Sequence, residues 1–241
     1  MEWSRTQYGN DLSTFATLIT RHDESNIFKN LDSPLNIAKA KLNRANGNTL
    51  TVEANSIELI LKKKISGTIP HDLQSITIFF DSKSEFDLSI NIELNDRILD
   101  TYNFQIEIKG INDDGEHYNA WHLDRDIRGL EPSKPKFDHP LYHFQSGGNH
   151  LEEKQINGAV FISAPRLPHP PMDVILGIHF ILRNFCSTKD YPRFDRLFDQ
   201  PDYQDIVKRA KQRMFNPYFK AFSESNTHQD YTIENVFPMA T

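Results

Sequence analysis

An α+β fold is predicted by three observations. Apolar residues recur at three- and four-residue spacings through the first 45 positions, alternate with polar residues between about 49 and 109, and fill a nearly all-apolar segment at 172–185. The expected arrangement is N-terminal helices, an antiparallel β meander, then a buried central helix and C-terminal helices packed on the sheet.

Leu12, Phe15, Leu18 and Ile19 mark the first helix. Leu35, Ala38 and Leu42 mark a second, entered through Asp32, Ser33 and Pro34, a capping residue followed by an early proline. Asn46-Gly47-Asn48 then breaks the pattern, and strands are predicted near 49–65, 74–81, 86–94 and 98–109. The alternation is cleanest in the last two: Leu88, Ile90, Ile92 and Leu94 in one, Phe104, Ile106 and Ile108 in the other. One face of the sheet should therefore be buried and the other wet. Asn95-Asp96 has hairpin chemistry, which makes these two strands antiparallel neighbours. Further strands are expected near 116–123, 141–145 and 159–163.

Four prolines, at 165, 168, 170 and 171, lead into Met172, where the central helix should start, with Asp173 favourably placed against its dipole. A last helix is expected near 202–215, followed by an aromatic corner at 216–219. No linker composition divides the 241 residues, so one domain is expected: helical over 1–46, sheet over 47–163, helical over 164–225 and a flexible tail over 226–241.

Apolar residues make up 38%, but 17 Phe and 8 Tyr bury large areas each, enough for a core without metal or disulfides. Cys186 is the single cysteine, and the amino terminus lacks the basic start and apolar run of a secretory signal, so a cytoplasmic setting is expected. The longest apolar stretch, 174–181, is far shorter than the roughly 20 residues of a membrane span. A net charge of −6 disfavours a nucleic-acid-binding surface, which needs clustered cations to release counterions.

Chemistry concentrates in the middle of the chain. Six of the ten histidines (His117, His122, His139, His143, His150 and His169) fall there, beside Asp124, Asp126 and Asp138. On a strand over 116–124, His122 and Asp124 share a face opposite Trp121 and Leu123, and His139 and His143 share one if extended. His122, Asp124, His139 and His143 are the candidate ligands, and a divalent metal is the cofactor they would hold. The opposing reading is that these histidines are sheet-surface and loop residues; no H-E-x-x-H or paired C-x-x-C is present.

Glu107-x-Lys109, with Asp87 or Asp100 upstream, resembles the carboxylate and lysine core of PD-(D/E)xK nucleases, which implies Mg²⁺ chemistry. It is equally what a wet sheet face looks like. His179 and Arg183 share one face of the apolar helix and need partners there. Lys208, Arg209, Lys211 and Arg213, followed by Phe215, Tyr218 and Phe219, form the one basic and aromatic cluster. His179, Arg183, Lys208, Arg209 and Arg213 are therefore candidate interaction residues, with a structural role as the alternative.

The order helix, meander, proline-rich segment, apolar helix and final amphipathic helix resembles ubiquitin-conjugating (E2 or RWD) folds, with 172–185 in the place of their central helix. The only cysteine follows that helix and no His-Pro-Asn is present, so the resemblance implies a catalytically silent relative. Function is expected to be that of a non-catalytic accessory or interaction component of a bacterial multi-protein system, with host defence as a setting and a protein as partner. The alternatives are a metal-dependent hydrolase or nuclease using residues 117–150, and an inactive E2/RWD-like domain.

Overall fold

Period-two alternation persists through four long strands and closes them into a meander. The computed structural model describes residues 4–62, 65, 67–90, 98–126, 140–147, 151 and 166–223. Among them, β1 (Thr49–Leu61), β2 (Ser75–Asp87), β3 (Leu99–Asn112), β4 (Gly115–Arg125), β5 (Tyr142–Ser146) and β6 (Leu167–Pro168) form one sheet in sequence order. Every adjacent pair is antiparallel. The helices are α1 (Arg5–His22), α2 (Asp32–Arg44), α3 (Val174–Phe185), α4 (Pro192–Phe198) and α5 (Pro201–Ser223).

Strand β2 corrects the sequence expectation of a break between 81 and 86. Ile76, Ile78, Phe80, Ser82, Ser84 and Phe86 are buried at every second position of one uninterrupted strand. Ser82 and Ser84 interrupt the apolar signal although they face the core, where their hydroxyls find no hydrogen-bond partner among the described residues. Of the strand expected at 86–94, residues 86–87 end β2 and 88–90 form a turn, where the Asp87 carboxylate accepts from the Ser89 N–H at 2.9 Å; residues 91–94 lie outside the described residues. The neighbour of β3 is thus β2, with Phe80 opposite Ile106. Asn95-Asp96, the strand at 159–163 and the tail at 226–241 lie outside the described residues.

The free edge of β1 is closed by the segment after α1. Ile60 donates to Ile27 O at 2.8 Å and Lys29 to Glu58 O at 2.9 Å. The Asn30 amide donates to Ser56 O and accepts from the Glu58 N–H at 2.7 Å, so one side chain imitates a strand partner. Ser56 itself sits at a bulge with φ 57°. Such capping removes an edge open to other strands.

Helix α3 lies on the β2–β3 face, and Gly177 allows it. A Cβ there would stand 2.2 Å from Phe80 Cζ and 2.8 Å from Phe104 Cε2. The helix starts at Val174, two residues later than predicted, because Tyr102 holds Met172 extended: its hydroxyl accepts from the Met172 N–H at 2.9 Å and donates to the Met172 carbonyl at 3.0 Å. Asp173 then caps α3, accepting from the Leu176 N–H at 3.0 Å. Helix α4 went unpredicted, although Pro192 at its first position is a start signal.

Helix α5 runs through Pro217 to Ser223, so the corner predicted at 216–219 is helical. Pro217 and Tyr218 are buried, and packing offsets the hydrogen bond that proline removes. The outer face of the sheet is not uniformly wet either: Ala120 and His143 are fully buried on the side opposite Leu123. No described helix is long and apolar enough to cross a membrane.

Candidate functional site

The predicted pair forms. His122 Nε2 lies 3.0 Å from Asp124 Oδ2, on the face opposite Trp121 and Leu123, and the Gln145 amide nitrogen contacts the same ring atom. His143 is the cross-strand partner of Asp124 on β5. Its Nδ1 lies 3.0 Å from Pro140 O, and burial pushes its pKa down, so the ring is neutral at pH 7. His139 lies outside the described residues. Among the described residues no three His, Cys, Asp or Glu side chains are grouped to hold a metal ion.

The Glu107 and Lys109 pattern does not assemble either. Lys109 is paired with Glu116 across the β3–β4 hairpin. Asp100 lies seven residues along the same strand from Glu107, roughly 23 Å away, and the Asp87 carboxylate is engaged by Ser89.

The predicted interaction residues divide between surface and interior. Lys208 is exposed. Arg183 stacks on Phe198 with its guanidinium 4.8 Å from the ring centroid, and His179 Nδ1 lies 2.9 Å from the Tyr203 hydroxyl. Burial, then Lys211 and Arg183, bring the pKa of His179 down from 6.5 to about 4. An unfolded chain therefore binds a proton at His179 between pH 6.5 and about 4 where the folded chain does not, so stability falls as pH falls through that window. We expect the wild type to lose up to about 3 kcal/mol more than His179→Gln between pH 7 and pH 4 in urea unfolding, and parallel curves would contradict the assignment.

Arg209 and Arg213 are bound internally. Arg209 Nε lies 3.1 Å from both Asp11 carboxylate oxygens, and its Nη2 is 2.7 Å from Oδ1. Arg213 bridges Asp11 Oδ2 at 3.2 Å and Asp173 Oδ2 at 3.4 Å, while Tyr8 donates to Asp173 Oδ2 at 2.8 Å. Burial works against the Arg213 charge, and Asp173, Tyr8 and Asp11 outweigh it, so its pKa is raised. This cluster joins α1, the start of α3 and α5.

An open concavity lies elsewhere, where the core face of β3–β4 runs out beyond the end of α3. Gly110 and Ile108 of β3 face His117 and Asn119 of β4 across the ladder, on the face that carries Ile106 and Trp121. Phe185, Leu73, Ile76 and Ile65 complete the walls of a groove of about 360 Å³. Leu73 can lie on the sheet because residue 110 is glycine: a Cβ there would meet Leu73 Cδ1 at 2.7 Å. Ile69, 81% exposed, stands at the rim.

His117 is the polar side chain of this groove whose partner places the proton on a given ring nitrogen. The Asn112 side chain, 6% exposed, donates through Nδ2 to Asp72 at 3.0 Å and accepts through Oδ1 from the Asp114 N–H at 3.0 Å. With the amide oriented by both partners, His117 Nε2, 2.9 Å from Oδ1, must be the donor. In the tautomer that this bond selects, the lone pair lies on Nδ1. Sequence reasoning placed His117 in the histidine-rich segment but gave it no role; the loop at 65–73 carried no motif at all. The local signal was a set of isolated apolar residues, Ile65, Ile69 and Leu73, between Gly67, Thr68, His71 and Asp72.

The chain matches no protein-family model, no curated protein and no solved structure.

Proposed function

We propose that the chain is a non-catalytic interaction component that seats a segment of a protein partner in the groove at the end of α3. The observation that carries this reading is the groove itself: a concavity of about 360 Å³ whose walls set Leu73, Ile76, Ile108 and Phe185 beside the polar Thr68, His117 and Asn119, with a rim isoleucine that is 81% exposed. Concavities that combine apolar surface with placed polar groups are the usual form of binding sites, and water contact at Ile69 is relieved when a partner covers it. A bacterial multi-protein assembly, with host defence as its setting, is the context proposed for this activity, and the groove reading does not depend on it.

Ile69→Asp tests the reading, because it places a charge at the rim without entering the core. We expect affinity purification of the tagged wild-type chain from its native cells to recover a stoichiometric protein that Ile69→Asp loses, with unchanged thermal unfolding. Equal recovery by both chains would sink the groove as the contact. The metal-dependent hydrolase alternative has the His122–Asp124 contact in its favour.

A further inference from the structure

We infer that the groove takes an aromatic side chain carrying its own hydrogen-bond donor, tryptophan or tyrosine, next to a basic residue in an extended segment of a protein partner. This rests on the groove being the partner site.

Three features select that chemistry. The walls formed by Ile65, Leu73, Ile76, Ile108 and Phe185 favour an apolar body, and a volume of about 360 Å³ accommodates a large ring. Against those walls stands His117, whose Nε2 proton is committed to Asn112 and whose Nδ1, in the tautomer this bond selects, is an acceptor. A donor on the incoming ring satisfies it; a purely hydrocarbon ring would bury the lone pair without a partner, which costs free energy. Thr68 spends its hydroxyl proton on Ile65 O at 2.7 Å, so it too is left as an acceptor.

Charge decides the flanking residue. Asp72 is two hydrogen bonds from the His117 ring, and Asp113 and Asp114 form the turn beside it; all three are exposed. Lys109, the nearest cation on β3, is paired with Glu116. Among the described residues the charges beside His117 are therefore acidic, while the exposed Lys62 precedes the wall residue Ile65, and a lysine or arginine adjacent to the seated ring complements the acidic side.

The test is an NMR titration of the full chain with four probes: the peptide Ac-Gly-Trp-Lys-Arg-Gly-NH₂, its 1-methyltryptophan analogue, Ac-Gly-Trp-Glu-Glu-Gly-NH₂, and tryptamine. We expect the first peptide to shift the Ile108, His117 and Asn119 amides and to bind roughly fivefold more tightly than the methylated analogue, the value of one uncharged hydrogen bond. It should also bind more tightly than the acidic peptide, by a margin that shrinks with added salt and in Asp113→Asn. His117→Ala should remove the difference between the first two peptides while leaving the methylated one unchanged. Equal binding of all three peptides in the groove would overturn this inference and leave the partner site standing. Shifts absent from the groove with every probe would overturn both. Tighter binding by tryptamine than by the first peptide would assign the groove to a small amine and overturn the protein segment as its occupant.

Discussion

Gly177→Ala is expected to destabilise the protein by about 2 kcal/mol or more, even though alanine is the better helix former by about 1 kcal/mol. The new methyl would stand 2.2 Å from Phe80 Cζ and 2.8 Å from Phe104 Cε2. Both rings are fully buried and meet each other edge-on with centroids 5.1 Å apart, so neither can swing away freely. Helix α3 must lift or Phe80 must leave its rotamer, and either opens contacts across the β2–β3 face. Urea unfolding measures the loss. Phe80→Leu in the Gly177→Ala background should recover part of it, because it removes the colliding atom, whereas Phe80→Leu alone destabilises by creating a void. If the two changes were simply additive, the close approach of helix and sheet would be refuted.

Asp173→Ala is expected to cost about 3–5 kcal/mol, the range for breaking a buried charge pair from one side. Three partners lose their acceptor together: Arg213, 8% exposed, the Tyr8 hydroxyl, and the Leu176 N–H at the start of α3. Asp173→Asn separates these roles, because asparagine is also a good helix cap but carries no charge. It should retain about 1 kcal/mol relative to alanine. Arg213→Met should cost less than Asp173→Ala, since Asp11 keeps Arg209 and Gln7 as donors and the methionine fills the space over the Tyr8 ring. The reverse order, with Arg213→Met the more damaging, would mean that the arginine anchors the cluster by packing rather than by charge.

These two sites show where the sequence was readable. The apolar run around Gly177 announced a buried helix, because its composition is a local property of the chain. That residue 177 must be glycine became visible only when Phe80 and Phe104, from two separate strands, were seen to meet it. Asp173 was placed at the helix start from its position after the prolines, and it does cap α3. Its second role depends on Arg213, 40 residues later, and Tyr8, 165 residues earlier.

The same division holds for the candidate sites. His122 and Asp124 were predicted to share a face because strand periodicity alone decides that, and they do. Arg209 and Arg213 belong to a basic and aromatic cluster for which the sequence leaves an interaction role and a structural role both open, and helical rotation turns Arg213 inward onto two buried carboxylates. The groove lay beyond a local reading: its walls come from the β1–β2 connection, β2, β3, β4 and the end of α3.

By itself, then, the sequence determined the α+β class, the meander, the buried helix and the faces of β3 and β4, since periodicity, proline placement and capping act within a few residues. Tertiary structure alone decided that Ser82 and Ser84 sit in the core, that α5 continues through Pro217, which ion pairs are internal, and where the sheet is left uncovered. Each of those outcomes is set by partners distant in the chain, whose packing outweighs local preference.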